Sequence, residues 1–293
     1  MWWTRSCSNG PSPAATTPTV PSRRSTRQSD MGDMRTKLSM GTATLWLSVI
    51  VLLPLVALTT EAFSGGPGGF WDAVTAPGAR DTLWVTAKVS LAVALINMVT
   101  GTLIAWVLVR DNFPGKRIVD AVIDLPFALP TIVASLVLLS LYGPDSPMNV
   151  TLNATQPALV IALAFVTLPF VVRSVQPVLI ELDHDVEEAA ASLGASNATI
   201  FRRIILPALW PAVLSGTALA FARAIGEYGS VVLIGGNIPG ETQVASQYIQ
   251  EQIESDVPSA AAAVSVALLA ITFIVLLVLR LVGDRSTRKE QDA

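Results

Sequence analysis

The side chains with most chemical capacity in this 293-residue chain fall in two places. Between Glu181 and Glu188 stand five acids (Glu181, Asp183, Asp185, Glu187, Glu188) and the only histidine, His184. Carboxylates beside an imidazole are the raw material of metal binding and proton transfer. One histidine makes no cluster, however, and Cys7, the only cysteine, offers neither a disulfide nor a thiolate site. The spacing points elsewhere. Leu182, Val186, Ala189, Ala190 and Leu193 share one face of a helix, so the acids read as its solvated side and His184 as a solvated helix residue. The second place is Arg223 and Glu227, four residues apart in an apolar run and able to pair along one helical face. Two readings are open for them: a polar lining to a path across a membrane, or an ion pair that fixes helix packing. No catalytic set and no metal set emerges. Gly115-Lys116 is followed by Arg117 and lacks the upstream glycine of a phosphate loop, so any ATP chemistry falls to another chain and no cofactor is expected in this one.

The elements that hold these residues are set by hydropathy. With 52% hydrophobic and 14% charged residues and a mean hydropathy of +0.56, the chain is too apolar for an ordinary soluble domain, and nothing in it suggests nucleic-acid binding. Six apolar runs, near 42–60, 83–109, 119–142, 157–175, 208–235 and 259–282, are each long enough as a helix to cross a hydrocarbon core of ~30 Å. Pro126, Pro130 and Pro169 are expected to kink or locally unwind the third and fourth, and Asp120 and Asp124 to complement the N-terminus of the third. Gly226 and Gly229 are expected to allow close helix contact. Residues 1–40, rich in Ser, Thr, Pro and Arg, read as a disordered tail. The membrane-spanning region is expected at 41–283, and 284–293 form a second tail. Sixteen of the nineteen basic residues fall before the first run, between the second and third, in or near the 181–207 elbow and at or beyond the end of the sixth. The positive-inside rule therefore puts both termini and the elbow in the cytoplasm.

The elbow itself, 181–207, lies between the fourth and fifth runs. Gly194 is its expected C-cap or bend, a second amphipathic piece passes through Ile200, Ile204 and Ile205, and Pro207 is expected to stop that piece. Small residues on the apolar face suit docking onto a partner; a plain connector is the alternative.

A resemblance bears on that choice. Glu188-Ala189-Ala190, then Gly194, then Ile204, Leu206 and Pro207 resemble the "EAA" loop of ABC importer permeases, in which this cytoplasmic segment is the coupling helix that seats in the ATP-hydrolysing subunit. The runs DLPFALPTIVASLVL, AFVTLPFVVRSVQPVL and FARAIGEYGSVVLIGGNIP are similar to the sulfate, thiosulfate and molybdate branch, and the last resembles T-type sulfate/thiosulfate subunits.

The resemblance implies an all-α integral membrane protein of six transmembrane helices, the type I ABC importer permease fold, in a bacterial plasma membrane. It implies a sulfate/thiosulfate transport function with no catalysis in this chain. The implied partners are two ABC ATPase subunits that bind ATP, a similar W-type permease forming a heterodimer, and an extracytoplasmic sulfate-binding protein. Molybdate or tungstate import is the alternative substrate reading. A stand-alone secondary anion carrier and a membrane scaffold are the alternatives of another class.

Overall fold

The computed structural model describes residues 39–291, so residues 1–38 of the tail expected at 1–40 lie outside the described residues, while 39 and 40 are helical. The chain divides into two units at Leu55 and Val56. In the first, the described residues are helical and carry a π-turn over Ser48–Leu52, with Leu45, Trp46, Leu47 and Ile50 exposed.

The second unit holds the remaining architecture, and no strand occurs among the described residues. In chain order, the end of α1 (Ser39–Ala62) is followed by a short helix, α2 (Gly66–Thr75), and by α3 (Pro77–Arg110). Three short pieces come next: α4 (Lys116–Ile123), α5 (Leu125–Ala128) and α6 (Thr131–Tyr142). Then come α7 (Gln156–Glu181), α8 (His184–Ser192), α9 (Asn197–Ile200), a π-turn over Phe201–Ile205, α10 (Leu206–Ile225), α11 (Ala245–Glu254) and α12 (Pro258–Gln291). Among the described residues, five stretches are long and apolar enough to cross a membrane: Ser39–Ala62, Pro77–Arg110, Gln156–Glu181, Asn197–Ile225 and Pro258–Gly283.

The third expected run is not one of them. Pro130 forces Leu129 into extended backbone (φ −86°, ψ 133°), because the residue before proline is driven out of the helical region. Pro126 opens its own four-residue helix, so only the 12 residues of α6 remain as a straight apolar helix. Pro169 and Pro177, by contrast, lie inside α7 without ending it. The last helix continues through the expected boundary at 284 to Gln291.

α3, α7 and α10 pack against one another and form the centre of the unit. Glycines let them close up. A Cβ on Gly101 of α3 would sit 2.8 Å from Val171 Cβ, and one on Gly216 of α10 would sit 2.9 Å from Val171 Cα. With no water in hydrocarbon to drive helices together, such backbone approach and buried polar bonds supply the adhesion. Asn97 Nδ2 donates to Thr167 Oγ1 (2.9 Å) and to the Ala164 carbonyl (3.0 Å), fastening α3 to α7. The hydroxyls of Thr86, Thr102, Thr167, Ser174 and Thr217 donate to carbonyls one turn back, so none enters the apolar interior unpaired.

The fifth run also departs from expectation: its helix ends at Ile225, and residues 226–244 form turns. Irregular backbone among transmembrane helices persists only where protein satisfies its polar groups. Here Ser135 Oγ accepts from Leu233 N (3.1 Å) and Ile234 N (3.3 Å), Ala154 N donates to the Ile234 carbonyl (2.8 Å), and Thr86 Oγ1 accepts from Ala245 N (2.7 Å). Gly229 lets this segment lie directly on α6. A Cβ there would overlap the Thr131 hydroxyl and come within 3.0 Å of Ile132 N, whereas Gly226 has open space around it.

Candidate coupling site

The elbow is built from three caps. Asp183 Oδ1 accepts from Asp185 N (2.9 Å) and starts α8; Glu181 belongs to the long helix α7 before it. At the other end Gly194 adopts φ +87°. Gly194 N donates to the Ala191 carbonyl (2.9 Å) and Ala195 N to the Ala190 carbonyl (3.1 Å), the paired bonds of a Schellman motif. Ser196 Oγ then accepts from Thr199 N (3.3 Å) and opens α9.

Pro207 does not stop the second piece. The π-turn lets Leu206 N reach back to the Phe201 carbonyl, which makes room for a proline in the next turn, and the helix runs unbroken over Asn197–Ile225. Ile204 packs on the core, and Leu206 and Pro207 are half-buried.

The apolar face of the elbow divides between two environments. Leu182 and Ala190 pack on the core cluster of Ala105, Leu108, Val175, Leu179 and Ile205. Val186 (49% exposed), Ala189 and Leu193 (88% exposed) face away from it, as does Glu188. The helix cap thus holds Leu193 almost fully exposed, beside exposed Val186 and Ala189.

What orients α8 is electrostatic. No residue of α8 is fully buried, but Arg110, the last residue of α3, grips it. Arg110 Nη2 donates to Glu187 Oε1 and Nη1 to Glu187 Oε2 (3.2 Å). Nη1 also lies 3.2 Å from His184 Nδ1. The Arg110 and Glu187 side chains are only 13% and 18% exposed. One turn earlier on α3, Trp106 lies 5.3 Å below the Arg110 guanidinium and meets Phe201 edge-on at 5.6 Å. Neither Arg110 nor Glu187 carries a pairing signal in the sequence; the one reads as a topology marker and the other as part of a solvated acidic face.

Asp120 and Asp124 do not cap the third run, since neither carboxylate bonds a helix N-terminus. Both turn to Arg173 of α7: Nε and Nη2 donate to Asp124 (2.8 and 2.6 Å), and Nη1 to Asp120 Oδ1 (2.8 Å). This bidentate fork ties the broken third run to α7.

Arg223 and Glu227 do meet. Arg223 Nη1 donates to Glu227 Oε2, from the last turn of α10 to a residue just past its end. Glu227 Oε1 also accepts from Ser230 N (2.8 Å), and Ser246 Oγ donates to the Glu227 carbonyl (2.8 Å). The carboxylate is thus enclosed in the 226–244 turn segment.

A segmented membrane helix bundle with a capped, outward-facing amphipathic elbow defines a class, and the comparisons agree with it. Residues 97–288 match the family described as binding-protein-dependent transport system inner membrane component, and the chain belongs to that family of multi-pass membrane permeases. It is 45% identical over 255 residues to the sulfate transport system permease protein CysT of Synechocystis, covering 85% of this chain and 89% of that protein. It is 42% identical to the protein of that name from Salmonella typhimurium (80% of this chain, 87% of that one) and 41% to that of Escherichia coli (80% and 87%). In fold it is similar to a bacterial ABC transporter that imports alginate, with a TM-score of 0.73 at 14% identity over 88% of this chain and 98% of that one. The inward-facing methionine transporter MetNI is similar at a TM-score of 0.51, with 19% identity over 71% of this chain and 94% of that one.

Proposed function

We propose that the chain is a permease subunit of an ATP-driven importer of sulfate and thiosulfate. The observation that carries this reading is its 41–45% identity, over most of its length, to proteins named as sulfate transport permeases. The exposed Val186, Ala189 and Leu193 face supports the second half of it: a surface made to be covered by an ATPase subunit. In this reading two ATPase subunits bind and hydrolyse ATP, and this chain binds none. A W-type permease completes the translocation path, and an extracytoplasmic sulfate-binding protein delivers the anion. The distribution of basic residues puts the elbow and both ends of the chain in the cytoplasm. The third crossing is made by the segments α5 and α6, braced by Arg173, in place of one continuous helix. Glu188, Ala189, Ala190, Gly194, Ile204, Leu206 and Pro207 serve the coupling elbow, and Arg223 with Glu227 anchors the turn segment beside the path.

Deletion of the gene tests the substrate. Growth should fail on sulfate as sole sulfur source and persist on methionine. Normal growth on sulfate together with loss of molybdoenzyme activity would transfer the assignment to molybdate or tungstate.

A further inference from the structure

We infer that Arg110 and Glu187 form the latch through which movement of the elbow is passed to the transmembrane helices. The inference rests on the coupling role proposed above and names the residues that perform it. A force applied to α8 by a docked partner reaches the bundle through the short chain links at either end of α8 and through α8's own side-chain contacts. Those contacts are few: α8 has no fully buried residue, and its apolar contact with the core is made through half-buried Ala190 and its neighbours Leu182 and Ala195. Apolar contact of that kind resists separation but permits sliding, because it is non-directional. A two-pronged arginine–carboxylate pair fixes direction as well as distance.

The placement suits transmission. Arg110 ends α3, a helix of 34 residues that packs on α7, α10 and α12, so displacement of its end is felt through the bundle. Within one turn α3 holds both arms of the elbow, α8 through Glu187 and the π-turn through Trp106 and Phe201. The cap at Gly194 joins the arms, and the bare face of Val186, Ala189 and Leu193 is left for the partner. Arg110 and Glu187 touch no substrate and lie off the bare face; they are positioning residues for the power stroke.

The test uses the complete transporter in proteoliposomes, with ATPase subunits, second permease and binding protein present. It reads ATP hydrolysed per anion imported for Glu187→Gln, Arg110→Gln, Arg110→Lys and the swap Arg110→Glu with Glu187→Arg. The single neutralisations should keep the ATPase subunits and hydrolysis yet raise the ratio by about fivefold or more, the scale of a typical inter-site coupling. Arg110→Lys, with one ammonium in place of the fork, should fall between, and the swap should recover the wild-type ratio.

A second experiment covers variants that fold poorly. Cysteines at 110 and 187, in a Cys7→Ser background, should be uncoupled when free and recoupled when joined by a short bifunctional thiol reagent. An unchanged ratio in the single variants, or a crosslink that abolishes import, would overturn the latch. Loss of the ATPase subunits from the single variants would also overturn it and make the pair a docking contact. The ratio is read with whichever of sulfate, thiosulfate or molybdate the wild-type complex imports, so a wrong substrate assignment shows in the wild type and a wrong latch only in the variants.

Discussion

Arg223 and Glu227 form an ion pair across the point where a transmembrane helix stops: the arginine is in the last turn of α10 and 36% exposed, while the glutamate beyond it is 2% exposed. The two are therefore unequal partners. Glu227 also accepts the Ser230 N–H, a bond that only an acceptor at 227 can make. Glu227→Ala should leave that buried N–H unpaired and the partly exposed Arg223 without its partner, at a cost on the order of 1–3 kcal/mol. Glu227→Gln, which keeps an acceptor, should cost less. Exchanging the charges should not restore assembly, because an arginine at 227 cannot accept from Ser230. Yield and thermal stability of the purified complex measure all three; a charge swap as stable as wild type would show that the pair alone, without the turn, sets the geometry.

Gly229 is expected to tolerate a side chain poorly, in contrast to Gly226. Alanine there overlaps the Thr131 hydroxyl and crowds the Ile132 backbone, and overpacking of this kind costs about 1–3 kcal/mol. Gly226→Ala meets nothing within 4 Å and should be close to neutral. Melting temperatures of the two variants in detergent should separate clearly, and equal values would contradict the contact with α6.

Asp124→Asn should loosen the hold of α7 on the broken third run. Asp124 takes two of the charge-assisted bonds of Arg173, each worth about 1.5–3 kcal/mol. Asp120 accepts a further bond from the same guanidinium, so Arg173→Lys, which cannot reach both acids in fork geometry, should destabilise more than Asp120→Asn. Protease sensitivity of the 111–130 region, compared among the three variants, reports the order.

At the elbow, stability and docking should separate. Gly194→Val forces a branched side chain into φ +87°, with a strain of roughly 1–2 kcal/mol, and Gly194→Asn should be milder. Leu193→Asp removes no contact within this chain, since the side chain is 88% exposed. It should therefore leave melting unchanged while weakening retention of the ATPase subunits. A Leu193→Asp chain that retains them at wild-type levels would mean that the partner seats elsewhere.

How much of this was legible in the sequence follows from the range of the forces involved. Of the elbow, the Gly194 bend was readable from neighbours within a turn, whereas the Asp183 and Ser196 caps went unread and Pro207 does not stop the helix expected to end there. The end of the fifth helix was not. Val231, Val232, Leu233 and Ile234 continue the apolar run past Glu227, and hydropathy does not distinguish a helix from a turn segment whose polar groups are met by Ser135. Pro126 and Pro130 were visible, but whether a proline breaks a membrane helix depends on neighbours that satisfy the freed groups, and Pro169 breaks nothing. The pairs Arg110 with Glu187 and Arg173 with Asp124 join residues 77 and 49 positions apart, so only the crossing of helices brings them together.

The most direct measurement is uptake of labelled sulfate into vesicles carrying the assembled complex, with ATP supplied on the elbow side and ATPase co-purification followed in parallel. Uptake should require ATP, should be indifferent to ion gradients, and should be lost together with ATPase retention or coupling in Ala189→Trp, whose enlarged side chain blocks the exposed face. Wild-type uptake and ATPase retention in that variant, or sulfate uptake driven by an ion gradient without ATP, would contradict the assignment of this chain as a coupled permease subunit.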